Sequence, residues 1–328
     1  MTTRRNFLYL AAGLSASAGL GWTLQGRKRL QAATRTSWAL GTHVSMTAYH
    51  ARGETAEAAL DDAFAELKAV ESIMSIYRPE SQLSRLNRDG MLRDPHPYFV
   101  EVLLAAQEMS RRSGGAFDVT VQPLWALFSA AKAAGTLPDG EAIEDARRKV
   151  DWRRVRISSK RIELEGEGTA ITLNGIAQGF AADKAAQALQ ERGVECALID
   201  TGESHALGTK DNGQPWSIGV QHPRDPDAYI TLAKLAGRCL ATSGDYATNF
   251  SSDFRFHHLF DPKTGRSPLE VSSVSVAAPS ALLADALSTA VFVLGPEKGA
   301  RLVQDVPGTD LFLVMKDGTT RATSGFIS

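Results

Sequence analysis

The order of apolar and polar residues along the chain predicts helices interspersed with short strands. The clearest helical period runs through Leu60, Phe64, Leu67, Val70 and Met74. Their steps of three and four residues put them on one helix face. Charged residues occupy the other faces of this segment, so it is predicted to be a core-facing helix. Further helices are predicted at residues 98–112, 140–149, 177–192, 281–294 and 297–303.

Short alternating or β-branched runs between these helices predict strands. They read "HVSMTAYH", "VRISSKRIELEG", "ECALIDTG", "WSIGVQH", "YITLAKL", "VSSVSVAAP" and "DLFLVMKDG". Two of the runs contain their own turns, at residues 158–160 and at Asp317-Gly318, which predicts hairpins and therefore antiparallel pairing. Because strict βαβ alternation is missing, the pattern indicates an α+β fold with largely antiparallel sheets and flanking helices. The stretch "SAAKAAGTLPDGEAIED" is the candidate exposed connection.

Composition narrows the class of partner. The chain has 328 residues, 43% hydrophobic and 22% charged, which is typical of a globular protein. Lys and Arg total 36 and Asp and Glu total 37, so no excess of positive charge points to nucleic acid or to an anionic membrane surface. A small molecule or a protein is the expected substrate.

The N-terminus has the layout of a twin-arginine export signal. Arg4-Arg5 precede a mildly apolar run rich in Ala, Gly and Ser, and small residues near 31–33 suggest a cleavage point. We therefore predict a signal at residues 1–33, one domain at 34–328, a periplasmic location and no stable membrane span after signal removal. An uncleaved anchor is the alternative, although the run is short of the roughly 20 strongly apolar residues that a spanning helix needs. Cys196 and Cys239 either pair or remain buried thiols.

Several segments carry side chains suited to chemistry. "HHLFDPKTGRSP" at residues 257–268 combines two histidines with an Asp-Pro-Lys-Thr-Gly turn, which fits both a structural and a catalytic role. "TLNGIAQGFAADKAAQAL" at residues 172–189 indicates a strand ending at Asn174-Gly175 and a helix starting near Ala177, where backbone N–H groups attract phosphate, although packing is the commoner reason for such small residues.

Other segments are individually weak. In "ADALSTAVFVLG", Asp285 and Thr289 share a helix face and offer oxygen ligands of the kind that Mg²⁺ prefers, but an ordinary amphipathic helix has the same pattern. Asp118 and Thr120 in "GGAFDVTVQPLW" suit a buried structural hydrogen bond, and Ser243 in "LATSGDYATNF" belongs to a turn or a ligand-facing loop.

Taken together and in this order, the segments resemble the ApbE family of bacterial flavin transferases, the FAD:protein FMN transferases. The resemblance covers nearly the whole chain after residue 40. It rests on "LGTHVSMT", "MSIYRPESQLSRLN", "SGGAFDVTVQPL", "NGIAQGFAAD", "DTGESHALG", "ATSGDY", "HHLFDPKTG" and "ADALSTAVFVLG".

The resemblance implies an α+β fold that holds FAD in a cleft between subdomains. It also implies cleavage of FAD between its phosphates, attachment of the FMN phosphate to a threonine of a target flavoprotein with an Asp/Ser-Gly-Ala/Ser-Thr-type motif, and release of AMP. Mg²⁺ would be held by Asp285, the Thr289 hydroxyl and the Ala177 carbonyl. His258 is the candidate base, because a histidine near its ordinary pKa suits proton transfer from a hydroxyl, and His257 is the alternative.

By the same resemblance, Tyr77 corresponds to the family's aromatic residue that lies against a flavin nucleotide ring. The other residues expected to contact the nucleotide are Met74, Asp118, Thr120, Gly175, Ala177, Gln178, Glu203, Ser243 and Asp261.

Two positions depart from the family pattern. Gln178 stands where Lys is common, so a positive charge near the phosphates is missing, and Thr201 stands where Gly is common, which would stiffen its loop. Either change could lower or redirect activity. The alternatives to a transferase are an FAD pyrophosphatase that releases FMN and AMP, and a non-catalytic periplasmic protein that binds and delivers FAD. The chain combines a twin-arginine signal with no lipid-attachment cysteine, and in this it resembles family members that mature a single respiratory system, such as that of nitrous oxide reductase. We therefore expect a membrane respiratory redox protein as the target.

Overall fold

Residues 30–326 are described by the structure, which is a computed structural model. The predicted signal therefore lies almost wholly outside the described residues. Residues 31–33 of it, the predicted cleavage region, form the beginning of the first strand. Among the described residues, no helix is long and apolar enough to cross a membrane.

The described residues form seven α-helices and thirteen strands. The helices are α1 (Gly53–Met74), α2 (Gln82–Asp89), α3 (Pro97–Arg112), α4 (Gln122–Ala133), α5 (Gly140–Arg147), α6 (Ala177–Glu191) and α7 (Ala281–Gln304). The strands are β1 (Gln31–Ala39), β2 (Thr42–His50), β3 (Met91–Arg93), β4 (Val155–Ile157), β5 (Arg161–Leu164), β6 (Cys196–Asp200), β7 (Ser204–Leu207), β8 (Trp216–His222), β9 (Asp225–Leu235), β10 (Cys239–Gly244), β11 (Val271–Ala278), β12 (Asp310–Met315) and β13 (Thr320–Ala322).

One large sheet organises the molecule. Its order is β1-β2-β6-β7-β10-β11-β12-β13, and each neighbouring pair is antiparallel. A three-stranded sheet, β3-β5-β4, and the β8-β9 hairpin complete the described strands. The predicted α+β class and the two predicted hairpins, β4-β5 and β12-β13, are confirmed.

Helices cover one face of the large sheet. α1 packs on α6 and α6 packs on α7, while α7 lies against β10 and β11. The predicted apolar stripe of α1 is buried in this layer, from Leu60 to Met74. The β8-β9 hairpin covers the opposite face through Trp216 and Leu235, which pack with Leu240 and Phe312 of the large sheet. β11 is therefore buried along its whole length.

A third apolar cluster joins the α4-α5 pair to the loop that carries the histidines. It consists of Leu124, Phe128, Ile143, Ala146, Phe250 and Phe260. The Phe128 ring centroid lies 5.3 Å from that of Phe250 and 5.1 Å from that of Phe260. Phe250 precedes the two histidines in sequence and Phe260 follows them, so the loop packs on α4 on both sides of His257 and His258.

Local chemistry explains most helix ends. Ser81 and Ser280 accept hydrogen bonds from the N–H groups of Ser84 and Leu283 and begin α2 and α7. The predicted break between residues 294 and 297 is confirmed, because Gly295 takes a φ of 77° and interrupts α7 before Pro296.

Three details differ from expectation. No strand precedes Asn174; residues 165–173 follow an irregular path stabilised by bonds such as that from the Thr172 N–H to the Val119 carbonyl, 2.8 Å. The predicted exposed connection begins inside α4 and ends inside α5, so only residues 134–139 connect them. β1, β3, β7, β10, α2 and α4 were not predicted, because they are short, exposed or without a clear apolar period.

Candidate functional site

The first turn of α6 meets the first part of α7 at Gly179 and Asp285. α6 begins after Ile176 without a side-chain cap, and the Ala177 N–H donates instead to the Leu173 carbonyl over 2.8 Å. The Gly179 N–H donates to Asp285 Oδ2 over 3.1 Å. A Cβ atom on Gly179 would lie 2.2 Å from the Ala281 carbonyl oxygen, so glycine is what permits this close crossing.

Asp285 is a buried carboxyl group, 4% exposed. Burial raises its pKa from 3.8 to about 7, and the nearby Asp183 charge adds to the rise, against the lowering effect of the Gly179 N–H. Burying a carboxylate is costly unless a cation pairs with it, so the ionised form of Asp285 favours a bound cation.

A cluster of hydroxyl groups lies about one turn along α7 from Asp285. Thr289 follows Asp285 by one helical turn, and its Oγ1 lies 3.2 Å from the Ser243 Oγ at the end of β10. Ser243 Oγ also lies 2.8 Å from the Ser288 Oγ. A Cβ on Gly175 would lie 2.9 Å from Thr289 Oγ1, so the turn before α6 approaches this hydroxyl directly.

The donors gathered here are all oxygen atoms. Asp285 supplies a carboxylate, Thr289 a hydroxyl, and Ala177 a carbonyl at the start of the same α6 turn that contacts Asp285. Hard oxygen donors of this kind suit Mg²⁺ better than softer transition metals. The residues present therefore fit the predicted magnesium ion.

The histidine loop ends in the predicted turn. The Gly265 N–H donates to the Asp261 carbonyl over 2.8 Å, and Gly265 takes a φ of 68°. The Asp261 carboxylate accepts from the Lys263 N–H, 2.9 Å, and so closes its own turn. Gly265 packs against Ile143 and Leu124, which ties the turn to α4 and α5.

His257 and His258 have different environments. His257 is fully buried; its Nε2–H donates to the Pro268 carbonyl over 3.1 Å, and its ring meets Phe292 edge-on. Burial lowers the pKa of His257 from 6.5 to about 4, so the ring is neutral and acts as part of the core.

His258 is only partly buried and has a defined tautomer. Its Nδ1 lies 3.1 Å from the Thr248 carbonyl oxygen, which can only accept, so Nδ1 carries the proton. The lone pair of the neutral ring is therefore on Nε2. Burial holds the pKa of His258 below its ordinary value of 6.5, and this keeps the ring in its basic form at neutral pH.

A buried ion-pair network supports the loop between β10 and His258. Asp245 is fully buried and accepts two hydrogen bonds from Arg224, at 2.7 and 2.8 Å, and one from the Lys316 ammonium. Lys316 also donates to the Phe254 carbonyl over 2.8 Å. The network connects the β8-β9 turn, the end of β12 and the histidine loop. Sequence reasoning placed the segment that contains Asp245 in a turn or a ligand-facing loop and did not predict the network.

Tyr77, the residue predicted to lie against a flavin nucleotide ring, has an exposed side chain. Tyr77, in the loop after α1, is 71% exposed, and its ring centroid lies 6.4 Å from that of Trp125 at an angle of 74°. The pair presents aromatic surface at one side of the α4 helix, which suits a planar ring. Met74, the last residue of α1, is 4% exposed and packs in the main core. Trp125 was not predicted, because its neighbours in sequence give no sign of a surface role.

The remaining predicted polar contacts bond mainly within the protein. Asp118 accepts from Thr120 and from the Trp152 N–H, 3.0 Å, and burial raises its pKa to about 6. Glu203 is buried, and its Oε2 accepts from the Thr242 N–H over 3.2 Å. These contacts fix the loops on which the two acids lie.

The two departures from the family pattern contact each other. Gln178 Nε2 donates to the Thr201 carbonyl, and Thr201 Oγ1 donates to the Gln178 carbonyl, both over 3.2 Å. Gly202, with a φ of 99°, brings the loop against the Gln178 amide. The first turn of α6 is therefore bonded to the β6-β7 loop by a reciprocal pair of hydrogen bonds.

Comparison with known proteins agrees with the sequence resemblance. The ApbE family model matches residues 40–313. An FAD:protein FMN transferase from Treponema pallidum is 31% identical over 327 residues, covering 92% of this chain and 90% of the relative. An FAD:protein FMN transferase from Escherichia coli K12 is 29% identical, covering 79% of this chain and 77% of the relative.

Solved structures agree in fold. The apo flavinyl transferase ApbE of Pseudomonas stutzeri is 30% identical with a TM-score of 0.79, covering 90% of this chain and 96% of that one. The ApbE protein of Thermotoga maritima is 29% identical with a TM-score of 0.81, covering 91% of this chain and 100% of that one. With the family match extending from β2 to β12 and the site residues on the matched elements, this chain belongs to the ApbE family.

Proposed function

We propose that the protein transfers the FMN moiety of FAD to a threonine hydroxyl of a target flavoprotein, with Mg²⁺ as cofactor, and releases AMP. The observation that carries the proposal is the contact of Asp285 with the first turn of α6 and of Thr289 with the turn before it. The names of the relatives as FAD:protein FMN transferases support it. The family match and these relatives make the protein an enzyme of the transferase class.

Asp285, Thr289 and the Ala177 carbonyl would hold Mg²⁺. When bound, the ion supplies charge neutralisation at the pyrophosphate and so favours departure of AMP. The positive end of the α6 helix dipole lies at this start and attracts phosphate oxygens in the absence of the lysine common in the family. The Tyr77-Trp125 pair offers a face for a nucleotide ring.

His258 is the base. Its Nε2 accepts the proton of the target threonine, and the threonine oxygen forms a new bond to the phosphorus of the FMN half. The bond from this phosphorus to the bridging oxygen breaks, and AMP leaves with that oxygen. The Thr248 carbonyl keeps the proton on Nδ1 before transfer and stabilises the imidazolium afterwards.

The target is proposed to carry the Asp/Ser-Gly-Ala/Ser-Thr-type motif and to belong to a membrane respiratory system. We also propose export to the periplasm through the twin-arginine segment at Arg4-Arg5. Cell fractionation of the wild-type chain and of Arg4→Lys/Arg5→Lys tests the export. The double variant should stay in the cytoplasm, and equal periplasmic amounts would refute this route.

The transfer is tested by incubating the protein with FAD, Mg²⁺ and a target domain that contains the motif. A denaturing gel viewed under ultraviolet light should show a fluorescent target band that disappears with EDTA and with the motif threonine changed to alanine. Free FMN and AMP without a band would replace the proposal with a pyrophosphatase. Intact FAD retained by the protein would replace it with a binding protein.

A further inference from the structure

A carboxylate, an imidazole and a thiol meet beside the start of α7, outside the group around Asp285. Asp183, His205 and Cys239 each offer one ligand atom, and these atoms all lie within 4.8 Å of one another. Asp183 Oδ1 lies 2.9 Å from His205 Nδ1. Neither the sequence patterns nor the proposed transfer reaction uses these three side chains together.

The fold fixes all three positions. His205 of β7 is directly opposite Cys239 of β10 in the antiparallel register, so their side chains lie on the same face of the large sheet. Asp183 extends from α6 toward that face. Its two oxygens accept hydrogen bonds from the Ala281 and Leu282 N–H groups at the start of α7, over 2.8 and 3.0 Å.

These backbone bonds orient the carboxylate as outer partners orient the ligands of metal sites. They also satisfy the first N–H groups of α7, which gives Asp183 a structural role. A structural cap explains Asp183 alone. It does not account for an imidazole and a buried thiol meeting the same carboxylate.

The exposure of the cluster is uneven. Cys239 is fully buried, whereas the side chains of His205 and Asp183 are 16% and 22% exposed. An ion could therefore enter from the histidine side and reach a thiol that is protected from bulk solvent. The sheet register and the α7 cap hold the ligands in place, so few side chains must move.

The donor set selects the kind of ion. Thiolate and imidazole ligands suit Zn²⁺ and similar transition metals, while Mg²⁺ and Ca²⁺ prefer oxygen alone. Three protein ligands leave a fourth tetrahedral position for water. Binding would replace the Cys239 thiol proton, which is released to solvent, by the metal.

We propose that Asp183, His205 and Cys239 form a second metal site, which takes Zn²⁺ or a similar thiophilic divalent cation and joins β7, β10, the middle of α6 and the start of α7. The site is distinct from the oxygen donors at Asp285 and does not depend on the proposed transfer reaction.

Co²⁺ is the probe that reports the thiol directly. Metal-free protein is titrated with Co²⁺ in a reducing buffer, and absorbance is followed in the near ultraviolet, where a thiolate-to-cobalt band appears only if sulfur is a ligand. The wild-type protein should give the band at one ion per chain. Zn²⁺ should abolish it, and excess Mg²⁺ should leave it.

The two cysteines provide a matched pair of variants. Cys239→Ser should lose the band, and Cys196→Ser should keep it. His205→Ala should bind Zn²⁺ more weakly than wild type by at least the ~10–100-fold that loss of an outer partner costs. Asp285→Asn should keep the band, which separates this site from the magnesium site. Circular dichroism confirms that each variant is folded.

Other results would overturn the proposal. A wild-type protein without the band has no thiolate-containing site. A band that persists in Cys239→Ser or disappears in Cys196→Ser places the sulfur elsewhere. Equal Zn²⁺ affinity in wild type and His205→Ala would show that the imidazole is not a ligand. The cluster would then serve only to cap α7.

Discussion

Two adjacent histidines in this chain differ in what their nitrogens contact. His257 donates to a carbonyl inside the core, whereas His258 donates from Nδ1 and presents Nε2 as its basic nitrogen. Sequence reasoning selected both residues and preferred His258 from the family pattern. It had no means of finding the Thr248 carbonyl that sets the tautomer, because a backbone acceptor leaves no mark in the residue order.

His258→Ala should lower the rate of FMN transfer by ~10²–10⁴-fold while FAD binding persists, because the variant loses the base but not the nucleotide contacts. Burial keeps the pKa of His258 below 6.5, so the wild-type rate should be constant near neutral pH and fall only as pH drops below that value. Single-turnover rates measured across pH, together with flavin fluorescence titrations, check both points.

His257→Asn is the matched control. It should lower the free energy of unfolding by ~1–3 kcal/mol, because a buried hydrogen bond and ring packing are disturbed, yet keep the acid limb of the rate profile. If His257→Asn abolished the acid limb and His258→Ala kept it, the roles of the two residues would be reversed.

Asp285→Asn should make the metal-free protein more stable at pH 8 by ~1–4 kcal/mol. Burial raises the pKa of Asp285 to about 7, above the 3.8 of the unfolded chain, so its contribution to stability is present below pH 3.8 and is lost as pH rises through 7. Asn removes this charge. Urea unfolding in EDTA at pH 5 and pH 8 should show a larger gain at pH 8.

Mg²⁺ should offset the stability advantage of Asp285→Asn over the wild type at pH 8. Added at pH 8, it should raise the melting temperature of the wild type and leave Asp285→Asn unchanged, because ligands stabilise only the state that binds them. The variant should also lose transfer activity. A magnesium-induced shift of equal size in both proteins would remove Asp285 from the metal site.

At the scale of elements, the contact between α6 and α7 depends on one glycine. Gly179→Ala would bring Cβ to within 2.2 Å of the Ala281 carbonyl oxygen. The helices must then move apart, which should cost ~1–3 kcal/mol and weaken Mg²⁺ binding, since the Gly179 N–H moves away from Asp285. Urea midpoints and magnesium titrations measure the two effects.

Gly140→Ala is the control for this change. Gly140 begins α5, and no heavy atom lies within 4 Å of the position of an added Cβ. Its urea midpoint and magnesium affinity should stay at or slightly above the wild-type values, because alanine favours a helix more than glycine does. Similar losses in both variants would mean that the α6-α7 crossing is not a special constraint.

Elements were predictable where the chain carries their whole signal locally. The buried apolar face of α1 and the Gly295-Pro296 break in α7 both depend on residues that are close together in sequence. The irregular path of residues 165–173 was mistaken for a strand, because Ile171 and Leu173 are buried by the main core rather than by a sheet face. The pairing of Gln178 with Thr201 joins loops that only the fold brings together.

For the whole molecule, the fold class followed from the hairpins and the absence of βαβ alternation, but the sheet order did not. β7 pairs with β10 although β8 and β9 intervene, and those two strands form a separate hairpin on the opposite face. Such an order depends on which apolar faces meet in space. The meeting of Asp183, His205 and Cys239 is a consequence of this order, which explains why no local motif announced it.

The large sheet has β1 at one edge and β13 at the other. Neighbouring strands lie ~4.8 Å apart, so the two edge strands are separated by roughly 34 Å across the sheet. A circular permutant that joins them needs a new linker of at least about 10 extended residues, at ~3.3–3.6 Å each. A shorter join would have to strip an edge strand from the sheet, so the stability of such a rearranged chain should fall as its linker is shortened below that length.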